Sequence, residues 1–121
     1  MSEPTISFVK ASAARFPELK TLLEEHTKDN DGEILPYVFL GDVTRYVLSL
    51  LFAGSSGDLE ARRELRRILD YLEDAYSNGG EEIQDLIALS FLENLPRQGE
   101  RGAQIRDMVG PNLKKQLELI G

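Results

Sequence analysis

Residues able to do acid–base or metal chemistry are few in this chain, and their spacing does not group them. The single histidine, His26, lies one helical turn after Leu22 and Leu23, and the chain has no second histidine and no cysteine. A zinc site needs three or four such ligands, and a general base needs a reacting group within hydrogen-bond reach. The pattern therefore predicts that His26 packs against its neighbours and has no catalytic or metal-binding role.

Hydroxyl and phosphate chemistry are equally unsupported. Neither Ser55 nor Ser90 lies in the Gly-x-Ser-x-Gly turn that exposes a nucleophilic serine. The segment 54–57 has two glycines but lacks the Gly-Lys-Ser/Thr sequence that completes a phosphate-binding loop. We therefore expect no nucleotide hydrolysis, no cofactor and no enzymatic activity.

The acidic segment 29–34 resembles the middle of a calcium-binding loop, with two aspartates two residues apart and a glycine after them. If Gly32 takes the sixth position of such a loop, Thr27 takes the first and Val38 the twelfth. The first carboxylate and the bidentate carboxylate that calcium needs are then both absent. The segment is predicted to be a solvated turn without a metal ion.

The charge of the chain is strongly acidic and unevenly distributed. Its 21 Asp and Glu residues outnumber its 14 Lys and Arg residues, so the net charge is −7, and residues 17–33 and 81–96 carry −4 each. Such a surface repels nucleic acid and anionic membranes and attracts basic proteins. Acids in the first turn of a helix also interact favourably with its dipole, which gives the acids at 81–85 a purely structural explanation as well.

The chain carries no obvious signal for export or for a membrane. Residues 1–16 contain no apolar run of signal-peptide length, and cysteine is absent. No stretch reaches the roughly 20 apolar residues of a membrane span. We therefore expect a soluble protein of the reducing cytoplasm.

Hydrophobic residues recur at helical spacing along most of the chain, and no segment has a convincing strand pattern. The predicted helices cover residues 5–15, 17–27, 42–53, 59–76, 81–95, 105–109 and 111–120. Asp42 and Asp58 are the predicted N-caps of the third and fourth helices. The third helix is apolar around most of its circumference, so we expect it to be central and buried. Residues 54–57 are predicted to be a flexible connector.

The joint at Ser77-Asn78-Gly79-Gly80 sets the fold class. It is predicted to join two amphipathic helices into an antiparallel hairpin over residues 65–96, which is the unit of helical bundles and solenoids. We therefore predict an all-α single domain over residues 1–121, with residues 1–4 flexible. Six or seven helices would pack as antiparallel hairpins, in an orthogonal bundle or a HEAT-like stack.

Four segments resemble a family of short bacterial proteins of unassigned function. They are Phe16 to Leu19, Ile68 to Glu73, Leu86 to Leu95 and Val109 to Leu113. The resemblance covers about residues 16–117 and implies no catalytic residues. Some related small acidic helical proteins resemble immunity proteins encoded beside antibacterial toxins, so the resemblance is compatible with that role.

Two hypotheses of function follow. The first is a non-enzymatic interaction protein, in the narrower form an immunity protein whose acidic surface neutralises a basic toxin domain. Its candidate contacts are Glu18, Glu24, Glu25, Asp29, Asp31, Glu81, Glu82, Asp85 and Glu93. The second is a small-molecule-binding or regulatory module with a pocket between helices, lined by Tyr37, Phe39, Tyr46 and Tyr71. The oligomeric state follows from neither.

Overall fold

The computed structural model describes residues 3–121, and every regular element in that part of the chain is helical. The helices are α1 (Glu3–Arg15), α2 (Pro17–Asp29), α3 (Pro36–Ser55), α4 (Leu59–Asn78), α5 (Glu81–Ser90) and α6 (Pro111–Ile120), with 3₁₀ turns at Leu92–Asn94 and Ala103–Asp107. The prediction of an all-α fold is confirmed. Of the four residues expected to be flexible, residues 1 and 2 lie outside the described residues, whereas Glu3 and Pro4 belong to α1.

Helix α3 is the centre of the fold. It packs against α1, α2, α4 and α5, and Phe39, Leu40, Val43 and Val47 are buried in the core. The prediction of a buried central helix is therefore confirmed.

The predicted start of α3 at Asp42 is wrong, because the helix begins at Pro36 with Leu35 as its N-cap residue. Proline is well suited to the first helical position, where its missing N–H has no partner to lose. Asp42 lies in the second turn of the helix. Its side chain is partly exposed there and forms an ion pair with Arg45.

By length and composition alone, α3 could cross a membrane, with a mean hydropathy of 1.3 over 18 residues. The buried core helix of a globular domain has the same composition. Its packing against four other helices accounts for this apolar character.

The joint between α4 and α5 is shorter than predicted. Ser77 and Asn78 belong to α4, so only Gly79 and Gly80 connect the two helices. A Cβ atom on Gly79 would lie 2.6 Å from the carbonyl oxygen of Ala75, so no larger residue fits there without a shift. Both helices pack against α3 as well as against each other.

The predicted boundaries of α4 and α5 are right at the start of each helix, whereas the predicted ends and the predicted connector before α4 are wrong. Asp58 caps α4 as predicted, accepting a hydrogen bond from the N–H of Ala61 at 3.1 Å. Gly54 is no part of a flexible connector, because it is buried in α3 and its carbonyl accepts from Nε of Arg62 at 2.7 Å. Helix α5 ends at Ser90, and a 3₁₀ turn replaces its predicted last turn.

The C-terminal helix α6 is held at its N-terminus by a side chain from α4. The two carboxylate oxygens of Glu73 accept hydrogen bonds from the backbone N–H groups of Asn112 and Leu113, at 3.1 and 3.0 Å. Helix N-termini expose such unpaired N–H groups and favour a negative charge beside them. The side chain of Asn112 donates to Ser77, which in turn donates to Glu73. Two distant segments of the chain are joined by this contact.

Gly110 is the residue that lets Glu73 approach. A Cβ atom at position 110 would lie 2.5 Å from Cγ of Glu73, which is closer than real Cβ contacts come. The glycine therefore serves close approach rather than an unusual backbone angle, since its φ of −67° suits any residue.

We predict that Glu73→Ala lowers the free energy of unfolding by about 1 to 2 kcal/mol, the usual cost of losing a helix-capping side chain. Gly110→Ala should destabilise the fold in the same direction, because the new methyl group displaces Glu73. Glu118→Ala, an exposed change in α6, is the control and should stay within about 0.5 kcal/mol. Urea unfolding followed by circular dichroism measures all three, and equal stability of Glu73→Ala and the control would contradict the assignment of the cap.

Candidate functional site: an acidic groove around Tyr46

Two neighbouring cavities, formed by α2, α3 and the start of α4, share Tyr46 in their linings. We call them together the acidic groove. Its first part has a volume of about 520 Å³ and is lined by Leu22, Glu25, His26, Asp29, Asn30, Val38, Asp42, Arg45 and Tyr46. Its second part has a volume of about 310 Å³ and is lined by Glu18, Tyr46, Leu50, Asp58, Glu60, Ala61, Glu64 and Arg67. The lining thus holds seven carboxylates and two guanidinium groups.

Three of the carboxylates come from one face of α2. Glu18, Glu25 and Asp29 follow one another at spacings of seven and four residues, which places them along a single helical stripe. All three are exposed, and within residues 3–121 none of them forms an ion pair with a Lys or Arg side chain. They are the carboxylates of the groove that a partner can reach without breaking an existing pair.

Helix α3 supplies the opposite wall with a mixed set of side chains. Asp42, Arg45 and Tyr46 are spaced by three and one residues and share one face of the helix. Asp42 and Arg45 form an ion pair with each other. This pair leaves the charge of the wall close to zero, so the negative charge of the groove comes from α2 and α4.

Tyr46 lies where the two parts of the groove meet. Its hydroxyl donates a hydrogen bond to the carboxylate of Glu64 on α4. Burial raises the pKa of Tyr46 well above its usual value, and the hydrogen bond to Glu64 and the charges of Glu64 and Glu18 raise this pKa further. The phenol is therefore a neutral hydrogen-bond donor at physiological pH.

His26 forms the floor of the first part and is more deeply buried than its sequence context suggested. Only 3% of its surface is exposed, and its ring packs edge-on against Phe39. Its Nε2 atom accepts a hydrogen bond from the backbone N–H of Leu35 at 2.9 Å. A backbone N–H can only donate, so Nε2 is the acceptor in this contact.

The role of His26 in this arrangement is structural. Leu35 is the N-cap residue of α3, so His26 satisfies the cap N–H in the way that a glutamate does in a capping box. Its Nδ1 lies 4.0 Å from Oδ2 of Asp42 and 3.4 Å from the amide nitrogen of Asn30. The end of α2 is thereby joined to the start of α3.

The acidic groove contains three of the nine candidate contacts: Glu18, Glu25 and Asp29. Glu24 lies at a different pocket between α1 and α2, beside Lys10 and Lys20. Glu93 lines a third cavity near α6. The remaining candidates, Asp31, Glu81, Glu82 and Asp85, are exposed and line neither part of the groove. The structure therefore separates the candidate set into different faces of the domain.

The predicted aromatic pocket does not form as one unit. Tyr46 lines the acidic groove, but Phe39 is fully buried behind His26. Tyr71 packs against Phe8 and Phe16 at ring distances of 6.0 and 5.3 Å. Tyr37 is 42% exposed at the start of α3. These four side chains do not converge on a common ligand site.

The calcium-like segment adopts a conformation without the ligand arrangement of such a loop. Asp29 is the last residue of α2, and Asp31 adopts a left-handed conformation with a φ of 54°. In the described part of the chain, no three His, Asp or Glu side chains are arranged to hold a metal ion.

The groove could have been found from the sequence by comparing two helical stripes. Glu18, Leu22, Glu25 and Asp29 form one stripe, and the pair Asp42 and Tyr46 begins the other. If Asp42 is interpreted as a helix cap, it is not assigned to a face of α3, and the second stripe is missed. No sequence pattern indicated that α4 would add Glu60 and Glu64 to the same surface.

Comparison with known protein families identifies the family of this chain. A model of a domain of unknown function, DUF7674, matches residues 9–119, and the chain belongs to this family. No curated protein and no solved structure matches the chain. The resemblance to an uncharacterised family is confirmed, whereas the likeness to immunity proteins stays a prediction.

We predict that His26→Phe lowers the free energy of unfolding by about 1 to 3 kcal/mol, because it keeps an aromatic ring but leaves the N–H of Leu35 without its acceptor. Lys20→Gln, an exposed change on the same helix, should have an effect below about 0.5 kcal/mol. Chemical denaturation of both variants measures the difference. Equal stabilities would show that water or another group replaces His26 at no cost.

We also predict a loss of stability at alkaline pH that depends on Tyr46. Its pKa is raised in the folded state, so the unfolded chain loses this proton first, at about pH 10. Stability is then fully present below that pH and falls as the pH rises toward the folded pKa. Tyr46→Phe should flatten this decline in urea titrations between about pH 9 and 11.5. A smaller slope should remain, since burial also raises the pKa of Tyr76.

The matched control for this titration is Tyr37→Phe, at an exposed position. This variant should keep the alkaline decline of the parent protein. A decline of the same steepness in Tyr46→Phe and Tyr37→Phe would contradict the assignment to Tyr46.

Proposed function

We propose that this protein is a non-enzymatic binding protein whose acidic groove takes up a basic segment of a partner protein. The observation that carries the proposal is the lining of the groove, with seven carboxylates against two guanidinium groups. This excess of negative charge in the groove accounts for most of the net charge of −7 of the whole chain. The groove therefore has a larger excess of negative charge than the rest of the chain, although the acids of α5 form a second acidic segment outside it.

The groove also has features that suit a peptide or helix rather than a point charge. Leu22, Val38 and Leu50 lie among its acids, so an occupant can bury apolar atoms between its charged contacts. Val38, which lines the first part, is 51% exposed. Interfaces commonly combine such an apolar centre with a charged rim, which speeds association and selects partners of opposite charge.

Binding is favoured over catalysis by the state of the two groups best suited to proton transfer. Nε2 of His26 is occupied by a backbone N–H, and accepting a proton there would break that bond. The raised pKa of Tyr46 makes its phenolate a rare species at neutral pH. Both groups therefore have structural roles in this arrangement, which favours binding over proton transfer.

In its narrowest form, the proposal is that the partner is a basic toxin domain and that the protein is its cytoplasmic immunity protein. Support for this form is the acidic surface and the small helical fold. Co-expression with the product of a neighbouring gene tests it: relief of growth inhibition is the expected result, and no relief would leave only the broader binding role.

We predict that Glu18→Gln/Glu25→Gln/Asp29→Asn weakens binding of a lysine- and arginine-rich amphipathic peptide by about 10- to 100-fold, since three contacts at 0.5 to 1 kcal/mol each are lost. Titration calorimetry at about 50 and 300 mM salt measures the affinity, which should fall with salt in the parent protein. The same peptide with glutamine at every basic position should not bind.

The chain offers a matched control for this experiment. Glu81→Gln/Glu82→Gln/Asp85→Asn removes the same three charges from α5, outside the groove, and should change the affinity by less than about threefold. Equal losses in the two triple variants would mean that net charge alone attracts the peptide. That result would overturn the groove as the binding site.

A further inference from the structure

The carboxylates of the acidic groove differ in whether a partner within the domain already occupies them. Four of the seven are occupied: two pair with arginines, one accepts from the hydroxyl of Tyr46 and one caps α4. They are Asp42, Glu60, Glu64 and Asp58. No ion pair among residues 3–121 includes the other three, which are Glu18, Glu25 and Asp29. The negative charge available to a ligand therefore comes from α2.

The three unpaired carboxylates form a nearly straight line along α2, which we call the α2 stripe. Because an α-helix turns by about 100° and rises by about 1.5 Å per residue, Glu25 and Asp29 lie within about 20° of the direction of Glu18. Their distances from Glu18 along the helix axis are about 10.5 and 16.5 Å. Leu22, one turn after Glu18, is half-buried and lines the groove. The α2 stripe thus combines three charges with one apolar contact.

Two arginines also line the groove, and they reduce its attraction for cations unequally. Arg45 is paired with Asp42 in the first part. Arg67 is exposed and lines the second part, as Glu18 does, and no carboxylate in the described chain lies within 4.0 Å of its guanidinium group. Its positive charge opposes that of Glu18, so Glu25 and Asp29 are the stronger contacts for a basic ligand.

The spacing of the α2 stripe discriminates between an extended and a helical occupant. An extended chain advances about 3.3 Å per residue and points successive side chains to opposite sides. The step of about 10.5 Å from Glu18 to Glu25 then corresponds to about three residues, an odd number, so the two contacting side chains would point in opposite directions. A helix lying along α2 repeats the steps of seven and four residues and presents all its contacting side chains on one face. The geometry therefore favours a helical occupant.

We propose that the acidic groove binds its basic partner segment as an α-helix that lies along α2. The basic residues of an antiparallel helix are spaced by four and then seven positions, opposite Asp29, Glu25 and Glu18, and those of a parallel helix by seven and then four. An apolar residue on the same face contacts Leu22, and the long stems of lysine and arginine cover the apolar surface around it. This inference rests on the proposed function above and specifies the conformation and the spacing of the partner.

Titration of the full chain with four peptides tests this inference, each of about 18 residues and so long enough to span the α2 stripe as a helix. Two matched peptides have three lysines spaced by four and seven or by seven and four, with a leucine placed opposite Leu22. A third has the same composition but spacings of five and five, which put the lysines on different faces of a helix. The fourth is the tighter-binding matched peptide with proline in place of a central alanine, a change that breaks the helix. Calorimetry measures the affinities, and far-ultraviolet circular dichroism measures the gain of helix on binding.

We expect one matched peptide to bind about tenfold more tightly than the five-and-five peptide, because the latter cannot bring all its lysines to the α2 stripe at once. The proline peptide should bind at least about tenfold more weakly than its parent. Helical signal should increase when the matched peptide binds and should not increase with the other two. Arg67→Gln removes the opposing charge and should strengthen binding of the matched peptide by about two- to threefold.

Single variants of the α2 stripe assign each contact to a position of the peptide. Asp29→Asn should weaken binding of the matched peptide by about threefold, and replacing the lysine opposite Asp29 by glutamine should then cause no further loss. Asp31→Asn is the control, because Asp31 is exposed, two residues further along the chain and outside the groove. This variant should leave the affinity unchanged.

The possible failures distinguish this inference from the function on which it rests. Equal affinities of the matched, five-and-five and proline peptides would overturn the helical occupant, while the acidic groove would keep its proposed role as a binding site for basic segments. Additive losses from Asp29→Asn and from the lysine replacement would also overturn the assigned spacing. Absence of binding by all four peptides would overturn both the inference and the proposed function.

Discussion

The requirement to cover α3 controls the rest of this structure. This helix is 20 residues long and has a positive mean hydropathy, so exposure of its surface to water would be unfavourable over nearly its whole circumference. Four other helices pack around it. The side of α3 that carries Asp42, Arg45 and Tyr46 is the part left for solvent, and it becomes one wall of the acidic groove. The position of the groove is thus a consequence of core packing.

Much of the fold could be predicted because its information is local. The helical period of the apolar residues, the proline at the start of α2 and α6 and the aspartate cap of α4 each act within a few residues. The errors arose where a distant side chain decides the outcome. Gly54 lies in a glycine- and serine-rich segment typical of a linker. In the structure it is helical, and Arg62 packs against it. Asp42 has the pattern of a cap, but the helix had already begun at Pro36.

The candidate site was less predictable than the fold for the same reason. The sequence identified Glu18, Glu25 and Asp29 as accessible acids, and the structure places all three in one groove. The sequence could not distinguish these three residues from the acids of α5. Charge counts along the chain do not show which helix faces lie next to one another in the fold. His26 shows the converse. Its position on an apolar stripe indicated packing, but its acceptor role for Leu35 depends on the course of the loop between α2 and α3.

The contact between Glu73 and the start of α6 bears on how the family can vary. A methyl group at position 110 and a full-length glutamate at position 73 occupy the same space, so each residue restricts what the other can be. Among relatives, a larger residue at position 110 should occur together with a shorter side chain at position 73. These two positions, 37 residues apart in the chain, should therefore covary in an alignment of the family.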